Sequence, residues 1–529
     1  MKSDLKVLLI WFFPVITCFV FELSFAEFRG YSVKNLIENS FIIGVVILSL
    51  SFIRNEDIRR LLLKLFYLVL VISFCIESIY FYVFDTYFST SAIFIFLETN
   101  LDEVMEFSQN YFDFNIALLL LINFIFGIWF LFRKPSSLNL NYLKYSRYLK
   151  LIAILTFSAT LYGTGYYFSN FQYQFIKGVI EYRSEIDKYE SSGITNPEGD
   201  FEDVKFKGDE TPHTFILVIG ESTTRHHMGI YDFHRSTTPK LSNLKSDLLI
   251  YQDVISPHSH TIESLQEALT LNNFKSQTES TIIQLFNQAG FKTYWFSNQN
   301  PIGIYDTLLS KIAKASDEVQ FTNMANYGST TPFDEVLLPL LDDAIADQEQ
   351  NTLVVLHLLA THGRYQLRYP EQFEVFTGTT QSPFRSESND VHINTYHNSI
   401  VYVDHILKQV ISKVEAKKNK SYVLYFSDHG EEVFLDKDFF GHNDLEQPTR
   451  SMFDIPFILW RSDHFKNQYA LDYEPNRPYS IQDLIHSVSD LSQIKFKRQD
   501  LSKSIFSDQF KPFKRIISGE KNYDTYFKK

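Results

Sequence analysis

Three ionisable residues of this 529-residue chain stand directly at the ends of apolar runs: Glu221 follows TFILVIG, and Asp428 with His429 follow YVLYFS. Two further runs behave alike. TLVVLHLLATHG carries His357 and His362, and LLIYQDVISPHSHT carries His258, His260 and Thr261. Carboxylate oxygens and imidazole nitrogens are the donors that zinc and other first-row divalent ions take. Singly, an acid after a strand is an ordinary solvated strand end, and a histidine in an apolar run is an ordinary core residue. The recurrence at four successive strand ends is what points to a metal. Thr261 adds a reaction, because a hydroxyl beside a divalent cation can become an alkoxide nucleophile. It also opens a helix-like pattern, where a bound phosphate is favoured. The same hydroxyl reads equally as an N-cap sharing its first turn with Glu263 and Ser264, and the two roles are compatible.

The elements that must position these groups alternate. Runs at 214–220, 248–256, 292–297, 352–360 and 422–427 read as core strands, and 261–273, 280–290 and 394–415 as helices between them. That rhythm predicts a mostly parallel sheet covered by helices, with ligands beyond the carboxyl ends of the strands. Residues 213–529 form this domain, and the polar stretch 169–212 is its tether.

The first 168 residues read differently. Five apolar segments, about 5–26, 40–53, 65–84, 115–132 and 149–168, approach the roughly 20 residues that cross a hydrocarbon core. Lys2 and Lys6 precede the first; Arg54, Arg59, Arg60 and Lys64 follow the second; Arg133, Lys134, Lys144, Arg147 and Lys150 follow the fourth. The stretch Asp85–Phe114 has no Lys or Arg and six acids. This alternation predicts a cytoplasmic amino terminus and places everything after Phe168 outside. LSFAEF also resembles a cleavage site after Ala26, which would not alter where the rest lies. Glu77 is expected to make a polar contact at the outer interface, and an amphipathic segment is expected within 85–114.

A net charge of −13 excludes the basic face of a nucleic-acid binder. The two cysteines, Cys18 and Cys75, both lie in apolar runs. The outer domain therefore has neither a disulfide nor a thiolate ligand.

Five blocks, LVIGESTTRHHMGIYDFHRSTTP, SPHSHTIESLQEALT, HLLATHGRYQLRYP, YHNSIVYVD and YFSDHGEEV, occur in one order between Phe215 and Val433. They resemble the signature blocks of bacterial phosphoethanolamine transferases, inner-membrane enzymes of the alkaline phosphatase and sulfatase superfamily. The wording is most similar to the branch acting on the core heptose of lipopolysaccharide. The chain lacks the cysteines of the lipid A-modifying branch. The resemblance implies an α-helical membrane domain of five transmembrane helices plus an α/β alkaline phosphatase-like (sulfatase-like) catalytic domain in the periplasm. It implies Zn2+ held by Glu221, Thr261, Asp428 and His429, with Thr261 as nucleophile and the metal count open between one and two. His362 falls on a position that meets the phosphoethanolamine group or a second zinc, and His442 on another such histidine. Asn298 or Gln299 is matched to phosphate binding and His357 to a buried supporting or core role; Glu431 and Glu432, beyond the two charges that suffice for the ligand set, are expected to be supporting or solvated. The implied reaction moves phosphoethanolamine from phosphatidylethanolamine to lipopolysaccharide, at core heptose or lipid A, in a monomer. A phosphoglycerol transferase or other lipid-headgroup enzyme on this scaffold is the next reading, and a non-catalytic membrane sensor or scaffold the third. A sulfatase is disfavoured because Thr261 stands where a formylglycine precursor would be Cys or Ser.

Overall fold

The structure, a computed structural model, describes residues 2–25, 30–84, 93, 112–132, 146–165, 170–191, 193–271, 280–299, 308–322, 332–346, 349–442 and 448–528. The cleavage-like site at Ala26 and the amphipathic stretch between residues 85 and 111, Ile93 apart, lie outside them. Two compact units form, one within residues 1–184 and the other within 185–529.

Each apolar segment of the first unit coincides with a helix: α1 (Lys2–Phe25), α2 (Gly30–Leu50), α3 (Glu56–Phe84), α4 (Phe114–Phe132) and α5 (Ser146–Thr164). Among the described residues three stretches are long and apolar enough to cross a bilayer, Ser32–Leu50, Glu56–Val83 and Phe114–Phe132. The expectation of five spans is thereby corrected to three. The apolar stretch of α1 is the shorter Ile10–Phe25, and α5 is diluted by Arg147, Lys150 and several Ser, Thr and Tyr. The helices share a core in which Trp11 meets Tyr67 edge-on at 5.3 Å and Tyr67 stacks on Phe130 at 3.9 Å. α2 begins well before the apolar run at 40, because Ser32, Asn35, Glu38 and Asn39 are polar in sequence yet buried. Glu77 is buried in the protein and makes a polar contact, accepting a hydrogen bond from Asn39 at 3.0 Å.

The stretch 169–212, read as a tether, is not featureless. Its first half is helix α6 (Phe171–Ser191), and Lys205–Phe206 pairs antiparallel with Ile494–Lys495.

The second unit is built on seven strands: β1 (His213–Gly220), β2 (Leu248–Ile250), β3 (Lys292–Ser297), β4 (Glu318–Phe321), β5 (Thr352–His357), β6 (Lys420–Ser427) and β7 (Phe457–Arg461). Their order is β2-β7-β6-β1-β5-β3-β4. The five from β6 to β4 are parallel, whereas β7 runs antiparallel to both β6 and β2. The sheet is therefore mixed rather than mostly parallel as expected. β7 follows β6 without an intervening long helix, and a strand that returns without a crossover must pair antiparallel.

Helices α7 (Thr261–Leu269), α8 (Ile282–Gln288), α9 (Leu337–Ala344), α10 (Glu387–Glu415) and α11 (Leu484–Leu491) pack on the sheet and between its strands. Both faces are covered. On β1, Phe215, Leu217 and Ile219 join one core and Ile216 and Val218 the other. A strand buried on both faces needs an unbroken apolar run, which is why TFILVIG shows no alternation.

Candidate active site

β1 lies between β5 and β6, in register so that Gly220 faces Ser427 and Ile219 faces His357. The residues that follow these strands therefore emerge side by side. The backbone N–H of Asp428 donates to Gly220 at 3.0 Å, and that of Leu358 to Ile219 at 2.9 Å. Gly430 lets the chain turn away, since a Cβ there would stand 2.0 Å from the Ser451 carbonyl oxygen. α7 is tied to the same edge by Ser264, whose hydroxyl donates to the Asp428 carbonyl at 2.5 Å. His260 occupies the N-cap of α7, and Thr261 is its first helical residue. The Thr261 hydroxyl does not cap. It lies 3.5 Å from Glu221 Oε1 and 3.4 Å from His429 Nε2.

The remaining distances close the cluster: His429 Nε2 is 3.5 Å from Glu221 Oε1 and 3.5 Å from Asp428 Oδ2. Glu221, Asp428 and His429 are all buried. His429 Nδ1 is 2.8 Å from the Gly430 carbonyl and donates to it, which leaves Nε2 to face the carboxylates. Asp428 Oδ1 accepts from the backbone N–H of Ser222 and His429 at 2.9 and 2.7 Å. Among the described residues, Asp428 Oδ2, equally buried, has no hydrogen-bond partner. A buried carboxylate oxygen left unpaired is costly unless something positive meets it. Burial and the neighbouring Glu221 charge push Asp428 up, while Glu221 is held down, against its burial, by hydrogen bonding to His429 and by the nearby imidazoles. Burial opposes charge on His429, but Asp428 and Glu221 push it up to about 10. Two carboxylates, one imidazole nitrogen and a hydroxyl converging on an unpaired oxygen fit a divalent cation. Glu221, Asp428 and His429 form one of two described groups close enough to share a metal.

The second group is His429, Glu431 and His442. Glu431 is neither solvated nor idle. It accepts from Tyr365 Oη at 2.7 Å and lies 2.7 Å from His442 Nδ1. The His442 ring is 4.5 Å from that of His429 and 5.2 Å from that of His260. Glu432, by contrast, is buried and closes a turn by accepting from Leu435 and Asp436 N–H at 2.6 and 2.9 Å.

Of the other expected residues, Gln299 and Asn298 separate. Gln299 Nε2 donates to Glu221 Oε2 at 3.0 Å and to the Leu358 carbonyl at 2.9 Å, so it braces Glu221. Asn298 is fully buried; its amide donates to Pro332 and Asp334 and accepts from Thr322, which commits it to the fold rather than to a phosphate. His362 sits near enough to Glu221 to bear on its charge, with Nδ1 3.5 Å from Arg368. His357 is buried at the end of β5, and burial pushes it down to about 4. His258 pairs with Glu267 at 3.5 Å.

Sequence reasoning missed two supports. Ser222 and Thr361 both adopt left-handed backbone, at φ 44° and 78°. For a β-branched residue that is costly and persists only where the surroundings enforce it. Here the Thr361 hydroxyl donates to the Glu221 carbonyl and meets Thr223, locking two strand ends together. A Thr-His pair in ATHG carries no sequence signal of a positive φ.

The sulfatase family model matches residues 213–494, the span that holds all these groups. Over nearly its whole length the chain is similar to phosphoethanolamine transferase EptC of Escherichia coli O18:K1:H7, 30% identical with 98% of this chain and 95% of that one covered. The crystal structure of the C-terminal periplasmic domain of EptC from Escherichia coli, a complex with Zn, superposes with a TM-score of 0.59 at 32% identity, covering 62% of this chain and 97% of that one. A likeness in fold alone extends to the integral membrane protein lipooligosaccharide phosphoethanolamine transferase A (EptA) of Neisseria meningitidis: TM-score 0.72, 19% identity, 94% of this chain and 98% of that one.

Proposed function

The chain belongs to the sulfatase family and, within it, to the phosphoethanolamine transferases, and from that premise we propose that it carries phosphoethanolamine from phosphatidylethanolamine to lipopolysaccharide through a covalent intermediate on Thr261. The observation that carries this reading is the Thr261 hydroxyl, uncapped at a helix start and within 3.5 Å of both Glu221 and His429.

Glu221, Asp428 and His429, with Thr261, would hold the zinc. When bound, zinc supplies a Lewis acid that lowers the pKa of the hydroxyl and offsets negative charge on phosphate oxygens. The chain's own residues do the rest. Thr261 Oγ1 attacks the phosphorus of the donor phosphodiester, and the bond to the diacylglycerol oxygen breaks. The proton lost by Thr261 is balanced by one delivered to that oxygen. His442, once protonated, suits the delivery, because Glu431 holds its Nδ1–H and Nε2–H can be given to that oxygen, while the Thr261 proton is released as the hydroxyl ionises. An acceptor oxygen then attacks the same phosphorus, the bond to Thr261 breaks, and the hydroxyl is regenerated. The first turn of α7 offers N–H groups to the equatorial oxygens in both steps. His362 is assigned to the phosphoethanolamine moiety, and the acceptor to core heptose or lipid A.

An odd number of crossings from an amino terminus read as cytoplasmic supports putting the catalytic unit on the opposite side of the membrane. The unit is thus assigned to the periplasm, where both lipids meet it. Cells carrying Thr261→Ala should produce lipopolysaccharide without added phosphoethanolamine, while the purified variant keeps its fold and its zinc. Modified lipopolysaccharide from that strain would overturn the assignment of nucleophile.

A further inference from the structure

Tyr396 of α10 is fully buried, and the reaction above does not use it. Its hydroxyl makes two hydrogen bonds, both to the turn that follows Glu221. It donates to the Ser222 carbonyl at 2.9 Å and accepts from the Thr224 N–H at 3.0 Å. A tyrosine hydroxyl has one proton to give, and here it is given to this turn. The ring is fixed as well, edge-to-face with Tyr365 at 4.9 Å and with His227 at 5.5 Å.

The turn so held carries one residue that serves both carboxylates. Ser222 donates its backbone N–H to Asp428 Oδ1 at 2.9 Å and its hydroxyl to Glu221 Oε1 at 2.8 Å. It does both from left-handed backbone, φ 44°, which a serine adopts seldom. Glycine would take that backbone without a steric clash, but glycine has no hydroxyl to give Glu221. The side chain therefore explains the serine, and a neighbour must enforce its strained conformation. Tyr396 does so by bonding the turn at two points, the carbonyl of Ser222 and the N–H two residues on. Glu221 and Asp428 each stand 3.5 Å from His429 Nε2. Like charges brought together resist ionisation, so donors fixed by the fold are needed to keep both carboxylates turned toward one point.

We propose that Tyr396 is a positioning residue for the metal site: its hydroxyl holds Ser222 in the strained turn from which that serine orients Glu221 and Asp428 together. This role rests on the zinc reading of the cluster and includes no step of the transfer itself.

The test is the zinc affinity of the full chain, measured by competition with a chromophoric chelator. Tyr396→Phe keeps the ring and loses only the hydroxyl, and its affinity should fall roughly 10- to 100-fold. Ser222→Gly removes the other hydroxyl while relieving the backbone. Its affinity should fall on the same scale, while its unfolding temperature without metal stays near that of the parent. A merely structural role would move the two together. Tyr422→Phe is the control, because that hydroxyl is equally buried but lies in the core, 2.7 Å from Ser492 Oγ. Its zinc affinity should stay at the parent value. Transfer by Tyr396→Phe should recover at saturating zinc, with KM for the donor lipid unchanged.

Parent affinity in a folded Tyr396→Phe overturns the proposal, and so does an equal loss in Tyr422→Phe. Should Tyr396→Phe not fold, parent affinity in Ser222→Gly overturns it. An unsubstituted chain that binds no zinc would sink the metal reading and this brace together. A chain that binds zinc and shows the expected losses, yet transfers nothing, would sink the proposed reaction and leave the brace standing.

Discussion

The catalytic cluster and the membrane network are both buried and both rich in carboxylate, yet their remaining atoms differ. In the catalytic unit, Glu221 and Asp428 converge on one imidazole nitrogen at 3.5 Å. In the membrane unit, Glu22 and Glu77 are held apart by Asn35 and Asn39, each carboxylate meeting an amide or hydroxyl hydrogen. The carboxylates are common to both, so the neighbours decide the chemistry. Convergence on nitrogen makes a place for one small dication, whereas amide spacing ties the membrane acids into a hydrogen-bond network. Support differs as well: the catalytic acids stand at the ends of a rigid double-faced sheet, the membrane acids on helix faces.

The largest expected effect separates the two clusters outright. Thr261→Ala should lower transfer by about a thousandfold or more, since the nucleophile has no substitute, with zinc content measured on the same preparation essentially unchanged. Chelation should come next. A chelator should abolish transfer and lower the unfolding temperature of the catalytic unit, and added zinc should restore both. Without metal, His429 is pushed up to about 10, so the folded state binds a proton that the unfolded chain gives up near ~6.5. That contribution to stability is present below about 6.5 and is lost as pH rises toward 10. Metal uptake must release this proton, so zinc affinity measured by competition should rise with pH over the same window.

A smaller effect sharpens the comparison within the catalytic unit. Glu431→Gln should lower kcat roughly 10- to 100-fold, as partners that orient a reacting histidine do, with KM for the lipid donor little changed. Equal loss in Tyr365→Phe would mean the whole Tyr365–Glu431–His442 line acts as one. The smallest effect is a null on one side: Glu22→Gln should leave zinc content unaltered by metal analysis. A variant that lost zinc would dissolve the distinction between the two clusters.

The candidate cluster was largely legible in the sequence because its carboxylates and imidazole follow apolar runs, and a strand buried on both faces has to end where its polar residues begin. Glu221, Asp428 and His429 needed no long-range information to be singled out; only the strand order that joins them did. Gln299 and Glu431 were assigned weaker or different roles because what they touch, Glu221 and His442, lies far away in sequence. Asn298 looked available for the same reason, its partners Asp334 and Thr322 being invisible locally. β4 and β7 were not read, each being a run of only four or five residues. The membrane unit misled in the opposite direction. Ser32, Asn35, Glu38 and Asn39 interrupt the apolar run of α2, so the helix was read as short and its polar face as an edge. A buried hydrogen-bond network engages Asn35 and Asn39 with Glu22 and Glu77, and hydropathy along one segment cannot register partners on another helix.

The central claim is that Thr261 carries the transferred group. Full-length protein incubated with phosphatidylethanolamine and no acceptor, then digested and analysed by mass spectrometry, tests it most directly. The peptide containing Thr261 should gain the mass of one phosphoethanolamine and lose it when lipopolysaccharide is added. An active enzyme whose Thr261 stays unmodified, with the group on His362 or His442 instead, would contradict the account.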